Sequence, residues 1–430
     1  MKAEQHDTEL KATPTRSEHA VPVDSSEPTF PDGGVAAWLV VAGGVMGTFC
    51  SFGMIQTFGV FQDYYTLVYL NEHPPSVISW IGSVQAFLLF AMAIVSGRLF
   101  DHGYFRHTLV GGSAIYLVSL FLLSLAKPHH YYQIFLAQGI GMGIGMGLIF
   151  LPCVSIAAHY FKRRRGLAVG IILSGAPVGA VVNPLILNHL FNQPSAGFPW
   201  AVRTVAFLNL ALLSLANIFM RTRLPARPAN VDMRAIVRDI PFWFCCAGIA
   251  FTFWGLFIPI FYIQLFSVKH NASHKLQTSV VAILNAAGVP GRIMPMFLAD
   301  RWGPFSIIWP VVFLCGCMAF VFLAAGHSDA GLVVFAIVYG WISGAFISLS
   351  IPAVASFSRS VSEVGTRIGF MGLTGALAIL TGSPISGALL NPPHYTWVWP
   401  IIFSGVTIFV GLGMFVAAAW LKKRSAVALP

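Results

Sequence analysis

VISWIGSVQAFLLFAMAIVSGRL, residues 77–99, is the stretch whose reading decides the fold. Its single charged side chain, Arg98, stands near the end. The run is long enough to cross a hydrocarbon core of roughly 30 Å, which takes about 20 mostly apolar residues in a helix. Thr108–Ala126 and Trp397–Leu421 have the same character. Extended along the chain, the pattern predicts spans at 36–61, 77–99, 107–126, 132–160, 166–190, 202–220, 242–268, 277–299, 305–325, 331–357, 365–390 and 397–421. Composition agrees. Of 430 residues, 57% are hydrophobic and 9% charged, which would leave too much apolar surface facing water. The expected fold class is an all-α membrane protein with twelve transmembrane helices.

A net charge of +10 raises the question of nucleic acid, and the placement of the charges answers it. With the N-terminus in the cytosol, the basic residues gather in alternate gaps: Arg98, Arg106, Lys162–Arg165, Arg221, Arg223, Arg227, Arg234, Arg238, Arg301, Arg359, Arg367 and Lys422–Arg424. Only Lys127, Arg203, Lys269 and Lys275 fall on the other side. That asymmetry is the positive-inside rule, so the basicity is a topology signal and puts both termini in the cytosol. No nucleic-acid partner is expected, and the lipid bilayer is the natural solvent. The six cysteines all lie in predicted spans, so no disulfide framework is expected. His270 and His274 have an i,i+4 spacing but sit in an outer loop without a carboxylate nearby. A solvated loop fits better than a ligand pair, and no metal or other cofactor is expected.

Residues 1–30 are polar and lack an apolar helical period, which predicts a disordered cytosolic tail. They do not have the form of a signal peptide, so span 1 is expected to serve as an uncleaved signal anchor. The rest divides into a six-helix bundle at 31–220, a basic cytosolic linker at 221–240, a second bundle at 241–421 and a tail at 422–430. The halves echo each other: Leu99-Phe100-Asp101-His102-Gly103 follows span 2, and Leu298-Ala299-Asp300-Arg301-Trp302-Gly303 follows span 8. A duplicated six-helix unit produces such an echo. Span 4 contains Gly139, Gly141, Gly143, Gly145 and Gly147, and spans 5 and 11 are also rich in Gly and Pro. Small residues let helix backbones approach, and prolines permit bending, so packing and conformational rocking both account for them.

Two motifs carry a family resemblance. Pro31-Asp32-Gly33-Gly34-Val35-Ala36-Ala37-Trp38 opens span 1, and Tyr160-Phe161-Lys162-Arg163-Arg164-Arg165-Gly166-Leu167-Ala168-Val169-Gly170 joins spans 4 and 5. Both resemble the signatures of the monocarboxylate porter family of the major facilitator superfamily, its fungal branch in particular. The resemblance implies two pseudo-symmetric six-helix bundles in the major facilitator fold, moving small carboxylates, commonly with a proton. It also likens the Asp101 and Asp300 loops to a cytosolic gating motif, with Arg98 and Arg301 as companions; His102 stands where a basic residue is usual. At the position of a span 1 lysine used by that family, this chain has Gln56, which cannot change charge. Read on its own chemistry, Asp32 is expected to accept from the free amides at the start of span 1. Lys162–Arg165 marks a membrane edge and suits anionic headgroups.

Charge inside a span is costly and marks function by default. No acid lies deep in any predicted span; Asp32 and Asp63 bracket span 1. Arg292 differs, standing eight residues before Asp300 where Arg98 stands three before Asp101. It either snorkels to the interface or faces the central cavity, where its planar fork would match a carboxylate. Gln56, Asn183 and Asn285 are further substrate-binding candidates, because an amide in a span needs a partner. Trp254, Phe257 and Tyr262 either pack the helix or widen the cavity's tolerance for ring-bearing acids. Asn271-Ala272-Ser273 is a glycosylation sequon on the outer side.

These features predict a multi-pass protein of the plasma membrane. The expected function is secondary active transport of small organic anions, monocarboxylates or acidic metabolites, by alternating access. A co-transported proton is a candidate partner, and no obligate protein partner is expected. The alternative is an efflux pump for a larger fungal secondary metabolite. A non-transporting sensor with a carrier fold is the alternative of another class. No nucleophile–base pair, metal cluster or phosphate loop points to an enzyme.

Overall fold

A computed structural model describes residues 31–191, 193, 197–223, 232–358, 361–390 and 396–427. The 1–30 tail, part of the expected linker and the last residues of the C-terminal tail lie outside the described residues. Twelve helices are long and apolar enough to cross a membrane. They are spans 1 (Val35–Tyr69), 2 (Val77–Asp101), 3 (Phe105–Leu123), 4 (Tyr131–His159), 5 (Arg165–Phe191), 6 (Gly197–Phe219), 7 (Ile240–Lys269), 8 (His274–Trp302), 9 (Pro304–Ala325), 10 (Asp329–Ala355), 11 (Glu363–Leu389) and 12 (Val398–Arg424). No strand occurs among the described residues. The only other separate helix among them, Met233–Val237, lies between spans 6 and 7 and is capped by Asp232, which accepts from Arg234 N (2.9 Å) and Ala235 N (3.2 Å).

Two expectations from sequence need correction. Span 1 does not stop at residue 61: a wide π turn over Tyr65–Tyr69 continues it, so Asp63 lies inside the span instead of beyond it. Arg367 lies within span 11, inside the expected bounds 365–390, and only 1% of its surface is exposed. Asp32 does not cap span 1. The N-cap is Gly34, with φ 86° and no side-chain cap. Asp32 itself has φ 48°, and the Gly33-Gly34 pair turns its carboxylate away from the helix it precedes.

Glycine sets the helix spacing. In span 4, Gly139, Gly143 and Gly147 lie against span 2, where added Cβ atoms would meet Ile81, Gln85 with Leu88, and Met92. The alternating Gly141 and Gly145 lie against Ser119 and Tyr116 of span 3. One helix thus seats two neighbours at backbone distance through two i,i+4 rows. Spans 8 and 10 meet the same way, Gly344 lying against the Gly288 carbonyl and Gly291 against the Trp341 backbone. Between the first six spans and the last six, span 11 packs on span 2, and span 8 on span 5.

Candidate functional site

The span 8–span 5 seam positions the central polar group. Gly288 and Gly291 bring span 10 so close that Arg292, on the following turn, is only 2% exposed. Its guanidinium cannot reach a membrane surface, so snorkelling is not its role in this structure. Its Nη1 donates to the Leu173 carbonyl of span 5 (2.8 Å), and its Nη2 lies 3.4 Å from Gln56 Oε1 of span 1. Gln56 Nε2 in turn lies 3.5 Å from Asn285 Oδ1, two turns before Arg292 on span 8. Arg292, Gln56 and Asn285, three of the sequence candidates, therefore form one chain of polar contacts across both halves. No carboxylate pairs with Arg292 among the described residues, and its Nε lacks a partner. A buried charge held only by neutral acceptors is an incomplete site, since breaking or omitting a partner for a buried ion costs several kcal/mol.

Aromatic rings wall this group. Arg292 Cζ stands 5.4 Å from the Phe52 ring centre. Phe52 meets Phe90 and Phe150, each at 5.8 Å, and Phe90 meets Phe253 of span 7 at 6.1 Å. Phe253 continues to Phe346 (5.5 Å) and Phe257 (5.6 Å), and Phe257 to Phe261 (5.4 Å). The wall thus joins spans 1, 2, 4, 7 and 10, and sequence reading found only Phe257 of it. Among 36 phenylalanines nothing local separates the others. Trp254 and Tyr262 lie beside the span 7 part of the wall, sharing a cleft with Phe253 and Phe257 along the span 7–span 11 seam. Trp254 Nε1 donates to Thr381 (2.7 Å), and Gly387 lies beside the Tyr262 hydroxyl. They line a narrow cleft with Phe261, Ile379 and Gly382. Asn183 is fully buried on span 5, and neither atom of its amide has a partner.

At the basic end of the bundle, two acids reach from one half to the other. Asp300 accepts from Gly166 N (2.9 Å) and Leu167 N (3.0 Å), capping span 5 from span 8. Asp101 lies against Gly365 of span 11, where an added Cβ would be 2.8 Å from Oδ2. The repeat seen in the sequence is therefore a repeat in contact. Arg98 lines a groove with Ile94, Met233 and Phe370, whereas Arg301 lies over the ring of Phe297 on its own helix at 4.6 Å. Arg367, counted in the sequence with the basic residues of the cytosolic side, pairs with Asp239 (2.6 Å) and Glu363 (3.3 Å), tying span 11 to the start of span 7.

The two motifs that carried the resemblance also touch. Asp32 Oδ1 accepts from Lys162 N (2.7 Å) and Arg163 N (2.8 Å), Asp32 N donates to the Tyr160 carbonyl (3.0 Å), and the Trp38 ring meets Phe161 at 5.5 Å. Burial pushes the Asp32 carboxyl up, but the amide hydrogens of Arg163, Lys162 and Arg164 outweigh it and hold the group below its ordinary range. At the opposite end Asn271 is exposed in the loop between spans 7 and 8, with φ 53°.

The sequence profile of the Major Facilitator Superfamily matches residues 44–331. "MFS-type transporter 1" of Ophiocordyceps sp. (strain BCC 1869) is 37% identical, covering 94% of this chain and 89% of its own. The "Aspyridones efflux protein apdF" of Emericella nidulans is 37% identical over 87% of this chain and 75% of its own. The "Agnestins efflux protein AgnL12" of Paecilomyces divaricatus is 35% identical over 97% and 95%. Among solved structures, the human organic anion transporter MFSD10 (TETRAN) superposes with a TM-score of 0.65 at 16% identity, covering 90% of this chain and 98% of that one. That likeness concerns the fold.

Proposed function

The chain belongs to the Major Facilitator Superfamily, and from that premise we propose that this secondary transporter exports an acidic metabolite with a ring-bearing or otherwise bulky apolar body. The observation that carries the reading is the Arg292 site. A guanidinium buried at the seam of the two halves has neutral partners only, and a phenylalanine wall runs from it across five spans. The charge selects an anion and the wall selects what the anion is attached to. Relatives named as efflux proteins for aspyridones and agnestins support the alternative raised by the sequence, efflux of a larger metabolite, over small monocarboxylates. Arg292 and Gln56 supply the anion contacts, with Asn285 holding Gln56. Phe52, Phe90 and Phe253 supply the apolar ones. Phe257 extends the wall, while Trp254 and Tyr262 act at the span 7–span 11 seam.

Alternating access follows from the acids at the basic end. With Asp300 on the span 5 amides and Asp101 against Gly365, that end is closed; opening it requires both contacts to part. By the positive-inside rule the basic end is cytosolic, as are both termini, and the plasma membrane is the site of export.

The test is counterflow in proteoliposomes with labelled lactate, benzoate and 2-naphthoate, comparing wild type with Arg292→Ala. Saturable flux that rises with ring size and vanishes in the variant is expected. Equal flux of lactate and naphthoate would overturn the size reading, and unchanged flux in Arg292→Ala would overturn the anion reading.

A further inference from the structure

Coupling needs a group that changes charge, and neither Arg292 nor Gln56 does so at ordinary pH. Among the described residues, the other acids within spans stand at the ends: Asp101 closes span 2, Asp300 lies two residues from the end of span 8, and Asp329 and Glu363 open spans 10 and 11. Asp63 is the exception. It lies six residues inside the end of span 1, about 9 Å along the axis at 1.5 Å per residue.

Its surroundings leave the carboxylate exposed and unpaired. Asp63 is exposed and makes no hydrogen bond or ion pair with any described residue. It stands seven residues outward from Gln56 across a break in the helix at Thr57, whose backbone stays near helical (φ −80°, ψ −13°), so the two lie near one face. Gly59 lies between them on that face, exposed and with nothing within 4 Å of an added Cβ. An open strip therefore leads from the Arg292–Gln56 contact to Asp63. Spans 2, 5 and 6 pack on this part of span 1. Span 6 brings Arg203, whose Nε donates to Ser124 Oγ (3.3 Å) and whose guanidinium lies over the Trp200 ring (5.3 Å). Span 2 carries no ionisable side chain beside it. Span 5 carries His189, 2.9 Å from Gln193. On span 1 itself, Tyr65 donates to Gln138 (2.6 Å), Tyr69 to the Ala126 carbonyl (2.7 Å), and Tyr64 stacks on Phe191 (4.2 Å). Glu72, beyond the span, is 3.3 Å from His129.

We infer that Asp63 is the proton site of the transporter, lining the outer mouth of the path to Arg292 and gating its closure. While the mouth is open the carboxylate is solvated and ionised. Closing the mouth takes it out of water, and an unpaired carboxylate resists this by several kcal/mol. One proton from the outer solution binds a carboxylate oxygen, the charge is cancelled and the mouth closes; the proton leaves when water returns. The direction, proton inward as substrate moves outward, rests on the export reading; the proton-linked closure does not.

The test needs no substrate. Gly59→Cys is placed in a Cys317→Ser background, with and without Asp63→Asn, and the purified full chain is labelled with a charged, hydrophilic maleimide from pH 8 down to pH 5. The ratio of the two rates cancels the thiol's own titration. Wild type at residue 63 is expected to label roughly tenfold faster than Asp63→Asn at high pH, with the ratio falling toward unity in acid. Asp63→Glu should restore the dependence. A ratio that does not change with pH overturns the proposal. So does failure of Gly59→Cys to label at any pH, which would place the strip against lipid. Absent naphthoate counterflow alongside a pH-dependent ratio would reject the substrate class and leave the proton gate standing.

Discussion

Arg292 was legible because a full charge in an apolar run has no cheap explanation, and Gln56 and Asn285 stood out as amides in the same setting. What the sequence could not say was that the three are consecutive contacts, since they lie 229 and 236 residues apart across the Gln56 pairs. The geometry makes Arg292→Lys a sharper test than charge removal. Lysine keeps the charge but loses the fork, and the Leu173 and Gln56 contacts cannot both be kept. Losing one charge-assisted hydrogen bond costs about 1.5–3 kcal/mol, so naphthoate transport efficiency should fall roughly ten- to hundredfold in initial-rate assays. Asp32 supports a pH prediction. Its folded carboxyl titrates below the unfolded one, so its contribution is fully present above the unfolded value near ~4 and is lost as pH falls through the folded value. Hydrogen exchange at the Lys162 and Arg163 amides should therefore show undiminished protection from pH 7 to about 4 and loss only below that.

Helices were read correctly in number and order, and less well at their ends. The ends mattered at span 1, where about two more turns of α and π helix, out to Tyr69, bring Asp63 inside the span as an intramembrane acid. Hydropathy falls off at such ends because Tyr, Thr and Ser replace Leu and Ile, while tertiary packing keeps the backbone helical. Asp300→Asn should weaken the cap on span 5 and so alter the closing of the basic end. Turnover is expected to drop while KM changes little, measured by counterflow at varied substrate. At the span 8–span 10 contact, Gly340 faces the Leu284 carbonyl with no room for a Cβ. Gly340→Val should overpack the pair and destabilise the protein by about 1–3 kcal/mol, read as a lower thermal midpoint in detergent.

On the scale of the molecule, composition and the spacing of hydrophobic runs gave the class and the number of spans, and the charges set the expected orientation. They did not give the phenylalanine wall, because rings on five different helices converge only after folding. Orientation is open to a direct check. Asn271 is exposed at the end opposite Asp300, so expression in a glycosylating host should shift the apparent mass, and Asn271→Gln should abolish the shift. An unshifted wild type with Asn271 protected from outside reagents would reverse the assigned sidedness.

The hydrogen bond from Arg292 to the Leu173 carbonyl joins the two halves of the molecule with the same N–H groups that an anion would claim. If Arg292 is the cargo site, as proposed, cargo and latch would compete for one donor. An unloaded carrier would keep its seam fastened, and an arriving carboxylate would free the Leu173 carbonyl and unfasten it. Slippage, the futile cycling of an empty transporter that dissipates a gradient, would then be suppressed by the cargo site itself.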